Sequence, residues 1–264
     1  MKTACWLAFL GILISGQAAA QDVKLDVVGT GDGLAILRAL ADHYSKTVPS
    51  VRVDVPPSIG SGGGIAAVAA RRAELGRIAR KLSNDEREAG IVYTPIASLP
   101  STIFAHPSAG VQSLTSSQLA DIYAGHITNW KELGGADLRI RVIRREDIDS
   151  TLVVLRDSMP GWKTLEITER SKMTTSTQEA IETARRNPGA IAFAPYEKSL
   201  ENGLQVLKID GLHPLEKSYP SKNELALIHM NQSVSAWAAE FLKFSIGEKA
   251  HQIISEHGGV PASK

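Results

Sequence analysis

Apolar and polar positions alternate along Val23-Lys24-Leu25-Asp26-Val27-Val28, the pattern of a half-buried strand. The chain then turns through Gly29-Thr30-Gly31-Asp32-Gly33, and residues 34–41 carry apolar side chains at helical spacing. Strand, glycine turn and helix recur at once. Residues 51–55 alternate, Ser58-Ile59-Gly60-Ser61-Gly62-Gly63-Gly64 supplies a second glycine turn, and residues 65–74 read as a second helix. Two successive βα units predict an α/β fold with a largely parallel sheet. Residues 116–123 and 178–186 have helical periodicity, while 138–143 and 190–193 read as strands. Residues 234–256 form a last helical stretch that stops at Gly258-Gly259 before Pro261. The Pro-bearing stretches 94–107 and 219–227 are the expected crossings between two lobes.

The first residues change the picture. Met1-Lys2-Thr3 precedes an apolar run over 4–14 and then Ser15-Gly16-Gln17-Ala18-Ala19-Ala20, an A-x-A cleavage pattern before Gln21. Residues 1–20 are therefore expected to be a secretory signal peptide, too short in its apolar part to span a bilayer. Its removal takes away Cys5, the single cysteine, so disulfides and thiol chemistry drop out of the mature chain. It also removes Lys2 from the 29 basic residues that stand against 28 acidic ones, leaving the exported chain formally neutral. Such a balance offers no basic face for nucleic acid, and 5% aromatic residues leave little for base stacking. A hydrophobic fraction of 43% over 264 residues suits one large or two small folded domains. No later apolar segment approaches membrane-spanning length, and a monomer is expected.

The two glycine turns are the most informative candidates for chemistry. Each opens a helix on the same side of the sheet, so backbone N–H groups and the positive ends of two helix dipoles converge where open α/β sheets bind ligands. This suits a small anion, with the Thr30 and Ser61 hydroxyls as added donors. Neither turn is a nucleotide fingerprint: Leu34 stands where a third glycine is needed, and 58–64 lacks the Lys-Ser/Thr ending of a P-loop. No metal or other cofactor is implied. A third candidate is Arg144-Arg145-Glu146-Asp147-Ile148-Asp149-Ser150-Thr151, where an arginine fork can meet an oxyanion and hydroxyls start the next helix. The same segment also reads as an exposed charged loop capped by Asp149 or Ser150.

The order of these pieces resembles the periplasmic phosphate-binding proteins of ABC importers and their relatives in the type II solute-binding fold. The likeness is carried by the first glycine turn, Gly60-Ser61-Gly62-Gly63-Gly64-Ile65 and Ala73-Glu74-Leu75-Gly76. It continues through Leu114-Thr115, Gln118-Leu119-Ala120-Asp121-Ile122-Tyr123-Ala124-Gly125 and Ile127-Thr128-Asn129-Trp130, and through the strand ending in Arg144-Arg145. Gly134-Gly135, Asn187-Pro188-Gly189-Ala190-Ile191-Ala192-Phe193 and the segment from Phe241-Leu242-Lys243-Phe244 to Gly259-Val260-Pro261 extend it over nearly the whole mature chain. The resemblance implies a two-lobed α/β protein, each lobe a mixed sheet flanked by helices, with lobe I at 21–98 and 225–264 and lobe II at 99–224. It implies a binding protein, not an enzyme, that closes on a phosphate-like oxyanion in the periplasm and presents it to an ABC permease.

Carried onto this chain, the ligand-binding positions are Thr30, Gly31, Asp32, Gly33, Ser61, Gly62, Arg145, Asp149, Ser150 and Thr151. The family's hydroxyl in the first turn is Gly33 here, Ala79 replaces a Ser or Asp, and Asp149-Ser150 replaces Ser-Gly. Asp149 is the sharpest departure. Two like charges about 4 Å apart repel by roughly 4 kcal/mol at a surface-like dielectric, so with an ionised Asp149 facing it the anion is phosphate-like and carries a proton, is bound weakly, or is not the ligand. If Asp149 caps the following helix, it points away. Arg144 and Arg80 are reserve cations or solvated surface groups. Two other readings remain: a diverged binding or sensor subunit with a different small ligand, and an exported phosphate-ester hydrolase. For the hydrolase, no His-Glu-x-x-His pair or Gly-x-Ser-x-Gly elbow is present.

Overall fold

A computed structural model of the chain describes residues 23–232 and 234–262. The candidate leader at 1–20, with Cys5 and its cleavage pattern, lies outside the described residues.

The alternation at 23–28 forms strand β1 (Val23–Gly29), with Leu25 and Val27 buried and Lys24 and Asp26 less so. It is followed by α1 (Leu34–Thr47), β2 (Val51–Asp54), α2 (Gly60–Ala69), β3 (Leu75–Ile78) and α3 (Asn84–Glu88). A long strand β4 (Ile91–Ala105) leads to β5 (Ser113–Leu114), α4 (Ser116–Ala124), β6 (Arg141–Arg145) and α5 (Ser150–Ser158). Then come β7 (Lys172–Thr174), α6 (Thr177–Arg186), β8 (Ala190–Pro195), β9 (Gln205–Val206) and β10 (Lys208–Ile209). The chain returns through β11 (Lys222–Met230) and ends with α7 (Ala236–Ser245), α8 (Glu248–Glu256) and β12 (Val260–Pro261). None of the described helices is long and apolar enough to cross a membrane.

The sheet runs β2-β1-β3-β11-β4-β8-β6-β7 as one hydrogen-bonded path. The βα units are parallel as expected, with β1 between β2 and β3, and β6 between β8 and β7. The centre is antiparallel instead, because β11 pairs antiparallel with both β3 and β4, and β4 with β8. The sheet is therefore mixed, and the expectation of a largely parallel sheet holds only toward its two ends. The antiparallel centre comes from β11, which returns from the far end and inserts between β3 and β4 against the direction of both.

Strand alternation divides the core. Leu225 and Leu227 of β11 face α1, α7 and α8, whereas Ala226 and Ile228 face α2. At the other end, Ile103 of β4 and Ile191 and Phe193 of β8 join α4 and α5 around Tyr123, Trp130 and Trp162. Phe104, Ala190, Ala192 and Ala194 face α6 on the opposite side. Each end is thus a helix–sheet–helix sandwich, the arrangement that buries both faces of a sheet. The Pro-bearing stretches 94–107 and 219–227 are β4, β11 and the residues beside them, and β4 contributes to the packing of both ends, through Ile96 and Leu99 at one and Ile103 and Phe104 at the other.

Two helices differ from their periodicity. Residues 60–64 are not a turn before the helix but the first turn of α2, which ends at Ala69 rather than at residue 74. A side chain at Gly64 would meet Gly29 Cα at 2.9 Å, so this glycine serves close packing of helix on strand. The stretch 234–256 is broken at Ile246-Gly247 into α7 and α8. Both segments bury an apolar face against α1, through Phe241, Ile253 and Ile254 among others, and one straight helix cannot follow that surface.

Candidate functional site

Four helices begin at one place, beyond the C-terminal ends of β1, β3, β6 and β7. They are α1 after Gly33, α2 with Ser61 in its first turn, α5 after Asp149, and α6 after Ser176. Each N-terminus carries unsatisfied N–H groups and about half a positive charge. The first two helices have no side-chain cap. The second two are capped, α5 by Asp149 and α6 by Ser176.

The turn before α1 is held from behind by an arginine. Arg77, fully buried in β3, donates from Nε to Thr30 O at 2.7 Å, from Nη1 to Val27 O, and from Nη2 to Pro56 O at 2.8 Å. Thr30 N in turn donates to Arg77 O at 3.1 Å. Burial pulls the Arg77 guanidinium down to about 10, still charged at neutral pH. Gly29, at φ 140°, leans against the Arg77 backbone where no other residue fits. Gly33, at φ 65°, holds a left-handed conformation that disfavours a side chain, and a Cβ there would press on the Leu225 and Leu99 methyls, so the hydroxyl that the resemblance places there could be fitted only with strain.

From this turn Asp32 reaches across to the other end of the sheet. Its Oδ1 accepts from Thr177 Oγ1 at 2.7 Å, and its Oδ2 accepts from Thr151 Oγ1 and Asn223 Nδ2, both at 3.2 Å. Asn223 Nδ2 also donates to Thr151 Oγ1 at 3.0 Å, and Ser101 Oγ donates to Asn223 Oδ1 at 2.5 Å. Alongside, Ser61 Oγ and Ser150 Oγ touch across the cleft at 2.8 Å, and Ser61 Oγ accepts from Ala79 N at 3.1 Å. Gln178 Nε2 donates to Gly31 O at 2.9 Å. The cleft is shut along this line.

Arg145 closes the arrangement. Its Nη2 pairs with Asp149 Oδ2 at 2.8 Å and donates to Thr175 O at 3.2 Å, while Nη1 donates to Thr177 Oγ1 at 3.3 Å. Its Nε is buried with no hydrogen-bond partner among the described residues. Asp149 also caps α5, its Oδ1 accepting from Thr151 N at 3.1 Å and Leu152 N at 3.2 Å. Capping and facing the site are therefore not alternatives: one oxygen does each. The expectation that a capping Asp149 points away from the site is corrected. The side chains of Arg145 and Asp149 are each only 8% exposed.

Two buried carboxylates so close cannot both ionise cheaply. Burial raises Asp32 above the usual carboxylate range, against the pull of the Thr177 hydrogen bond and the Arg145 charge. Burial, and then the Asp32 charge, push Asp149 up to about 7, with Arg145 opposing. Glu197, also buried, is raised by burial and by Asp32.

Of the ten candidate positions, Asp32, Ser61, Arg145, Asp149, Ser150 and Thr151 meet here, and Gly31 joins through its carbonyl. The Thr30 hydroxyl accepts from Asp32 N at 3.1 Å and so shapes the turn. Gly62 is exposed on the outer side of the first turn of α2. Arg80 pairs with Glu86 through both terminal nitrogens, at 2.9 and 2.8 Å, and Arg144 lies near exposed Asp147, so neither reserve cation belongs to the site. Ala79 takes part through its backbone N–H in place of a side chain. Thr177, Gln178, Asn223, Ser101 and Arg77 were not among the candidates. The run Thr175-Ser176-Thr177 ahead of a helical pattern is a legible N-terminus signal, whereas nothing local marks Asn223. Among the described residues, no group of three or more His, Cys, Asp or Glu is placed to hold a metal ion.

The sequence matches the family model of the PBP superfamily domain over residues 15–249. It is 25% identical over 251 residues to the phosphate-binding protein PstS of Bacillus subtilis, covering 91% of this chain and 81% of the relative. It is likewise 25% identical over 236 residues to the phosphate-binding protein PstS of Borreliella burgdorferi, 84% of either chain. Among solved structures, it superposes with a TM-score of 0.81 and 25% identity on a Clostridium perfringens protein, assigned as a phosphate ABC transporter substrate-binding protein and crystallised with bound phosphate. That alignment covers 91% of this chain and all of the other.

Proposed function

The chain belongs to the PBP superfamily, and from that premise we propose that it is a solute-binding protein that closes on a phosphate-like oxyanion and delivers it to an ABC importer. One observation carries this reading: four helix N-termini and Arg145 converge at one point, and Arg145 Nε is a buried donor without a partner among the described residues. Helix N-termini are anion sites by construction, and a guanidinium adds a charged fork.

The two ends of the sheet are lobe I, 21–98 with 225–264, and lobe II, 99–224, hinged where β4 and β11 cross. The turns at 29–33 and 60–64 with Ser61 form one wall of the site; Arg145, Ser150 and Thr151 form the other. A ligand enters when the Ser61–Ser150 contact parts, and hinge closure then lets each lobe supply part of its donors. Asp149 is an acceptor that a protonated phosphate satisfies and a sulfate does not, so phosphate is the favoured anion. The leader at 1–20 sends the protein to the periplasm, where it acts as a monomer without catalytic activity.

Calorimetry of residues 21–264 against phosphate and sulfate tests the reading. Heat is expected with phosphate and much less with sulfate. Absence of heat at millimolar phosphate overturns it.

A further inference from the structure

We infer that Asp32 is a built-in occupant of the oxyanion nest, a specificity-determining residue whose carboxylate holds donors that an external anion must win. The inference rests on the anion-binding reading of the same site. It concerns what this chain does when no ligand is held, and which ligands can displace Asp32.

The partners of Asp32 are those of a bound oxyanion. Two hydroxyls and an amide donate to its two oxygens, from Thr177, Thr151 and Asn223. Arg145 donates to the Thr177 hydroxyl from behind, and its charge acts on the carboxylate. The helices that begin at Thr177 and Ser150 direct their positive ends the same way. All three donors lie at least 119 residues away along the chain.

No local role requires the carboxylate. Asp32 does not cap α1, whose N-cap is Gly33 without a side-chain bond. Among the described residues no cation lies within ion-pair distance of it. A carboxylate 1% exposed is costly to bury unless its oxygens are satisfied, and here satisfaction comes from across the cleft. The bonds that satisfy Asp32 are therefore bonds that keep the cleft shut.

An entering anion meets a nest already carrying negative charge. Facing Asp32 are Asp149 and Thr151 from α5, Arg145 from β6, Thr177 from α6, Asn223 from β11 and, further off, Glu197 after β8. Arg145 is the one cation in this set, and Asp149 already pairs with it. A ligand binds by taking the hydroxyl and amide donors while Asp32 swings out or accepts a proton. Removing its charge should thus strengthen anion binding rather than weaken it. An aspartate that serves the ligand as an acceptor predicts the opposite.

The experiment compares the wild-type chain with Asp32→Asn and Asp32→Ala, titrated with phosphate and sulfate by calorimetry at pH 7.5. Formate is added in a separate thermal-melt series. Asp32→Asn keeps the shape and loses the charge; it is expected to bind phosphate at least tenfold more tightly than wild type and to admit sulfate. Asp32→Ala vacates the nest, and formate is expected to raise its melting temperature while leaving that of wild type unchanged. Equal or weaker phosphate binding in both folded variants overturns the inference, as does a formate series without effect on Asp32→Ala. If wild type binds no phosphate but Asp32→Asn does, Asp32 stands as the occupant and the phosphate-carrier reading of the wild-type chain falls. Should Asp32→Asn fail to fold, Asp32→Ala with phosphate and formate gives both outcomes by itself.

Discussion

The two walls of the cleft bring helix N-termini to the same point by different means. On the first wall, α1 and α2 start without side-chain caps, and the turn ahead of α1 is positioned by main-chain bonds to Arg77. On the second, α5 and α6 start behind Asp149 and Ser176, and Arg145 ties both starts together through Asp149, Thr175 and Thr177. The first wall offers bare amide groups and depends on backbone shape. The second offers hydroxyls and one charge and depends on side-chain pairing. A mutation in the backbone supports of the first wall should therefore change stability first, and one in the side-chain pairing of the second should change affinity first.

The largest effect is expected from Arg77→Met. It strands several buried carbonyls around the first turn and removes hydrogen bonds to a charged group, which should cost about 3–5 kcal/mol in chemical denaturation. A loss below about 1 kcal/mol would mean that the turn holds its shape without the arginine.

Next is Arg145→Ala. Phosphate affinity measured by calorimetry should fall at least a hundredfold, roughly 3 kcal/mol. The fold should persist, because Asp149 can take up a proton when its partner is lost. Unchanged affinity would remove Arg145 from the site and leave the second wall with hydroxyls only.

The buried carboxylates give a pH-dependent effect, smaller than these over any one pH unit. A group whose folded pKa lies above its unfolded value binds more protons in the folded state, so stability falls as pH rises between the two values. For Asp149 that window runs from its ordinary 3.8 to about 7. Asp149→Asn removes the titration, so wild type should lose stability relative to this variant from pH 4 to pH 7, by up to about 1.4 kcal/mol per pH unit. Melting curves of the two proteins that stay parallel over this range would count against a raised Asp149.

The smallest pair of effects separates the roles of glycine within one helix. At Gly64 a methyl group meets the β1 backbone, so Gly64→Ala should destabilise by about 1–3 kcal/mol in denaturant titration. At Gly62 a methyl group meets nothing within 4 Å, so Gly62→Ala should be neutral or stabilise by up to about 1 kcal/mol. Equal effects at both positions would mean that α2 does not lie as close to β1 as the structure has it.

Much of this was legible before any coordinates. The βα units at 23–41 and 51–74 follow from periodicity, with the second helix placed about five residues late, and Ser61, Arg145 and Thr151 stand at helix starts or strand ends recognisable one segment at a time. The glycine run at 60–64 reads as a turn because glycine is locally unfavourable in helices, yet its packing against Gly29 outweighs that propensity. The stretch 234–256 reads as continuous because helical periodicity does not register a bend at Ile246-Gly247.

The α/β class, the glycine-led helix starts and the arginine at the end of a strand are written in local sequence, because each arises from contacts within a few residues. Which side chains meet depends on long-range packing. Asp32 bonds Thr177 across 145 residues and Asn223 across 191. Those meetings are fixed by the antiparallel pairing of β4 with β11 and β8, which carries the two walls to one line. No local pattern encodes that distance, so the pairing that shuts the cleft emerges only from the register of the assembled sheet.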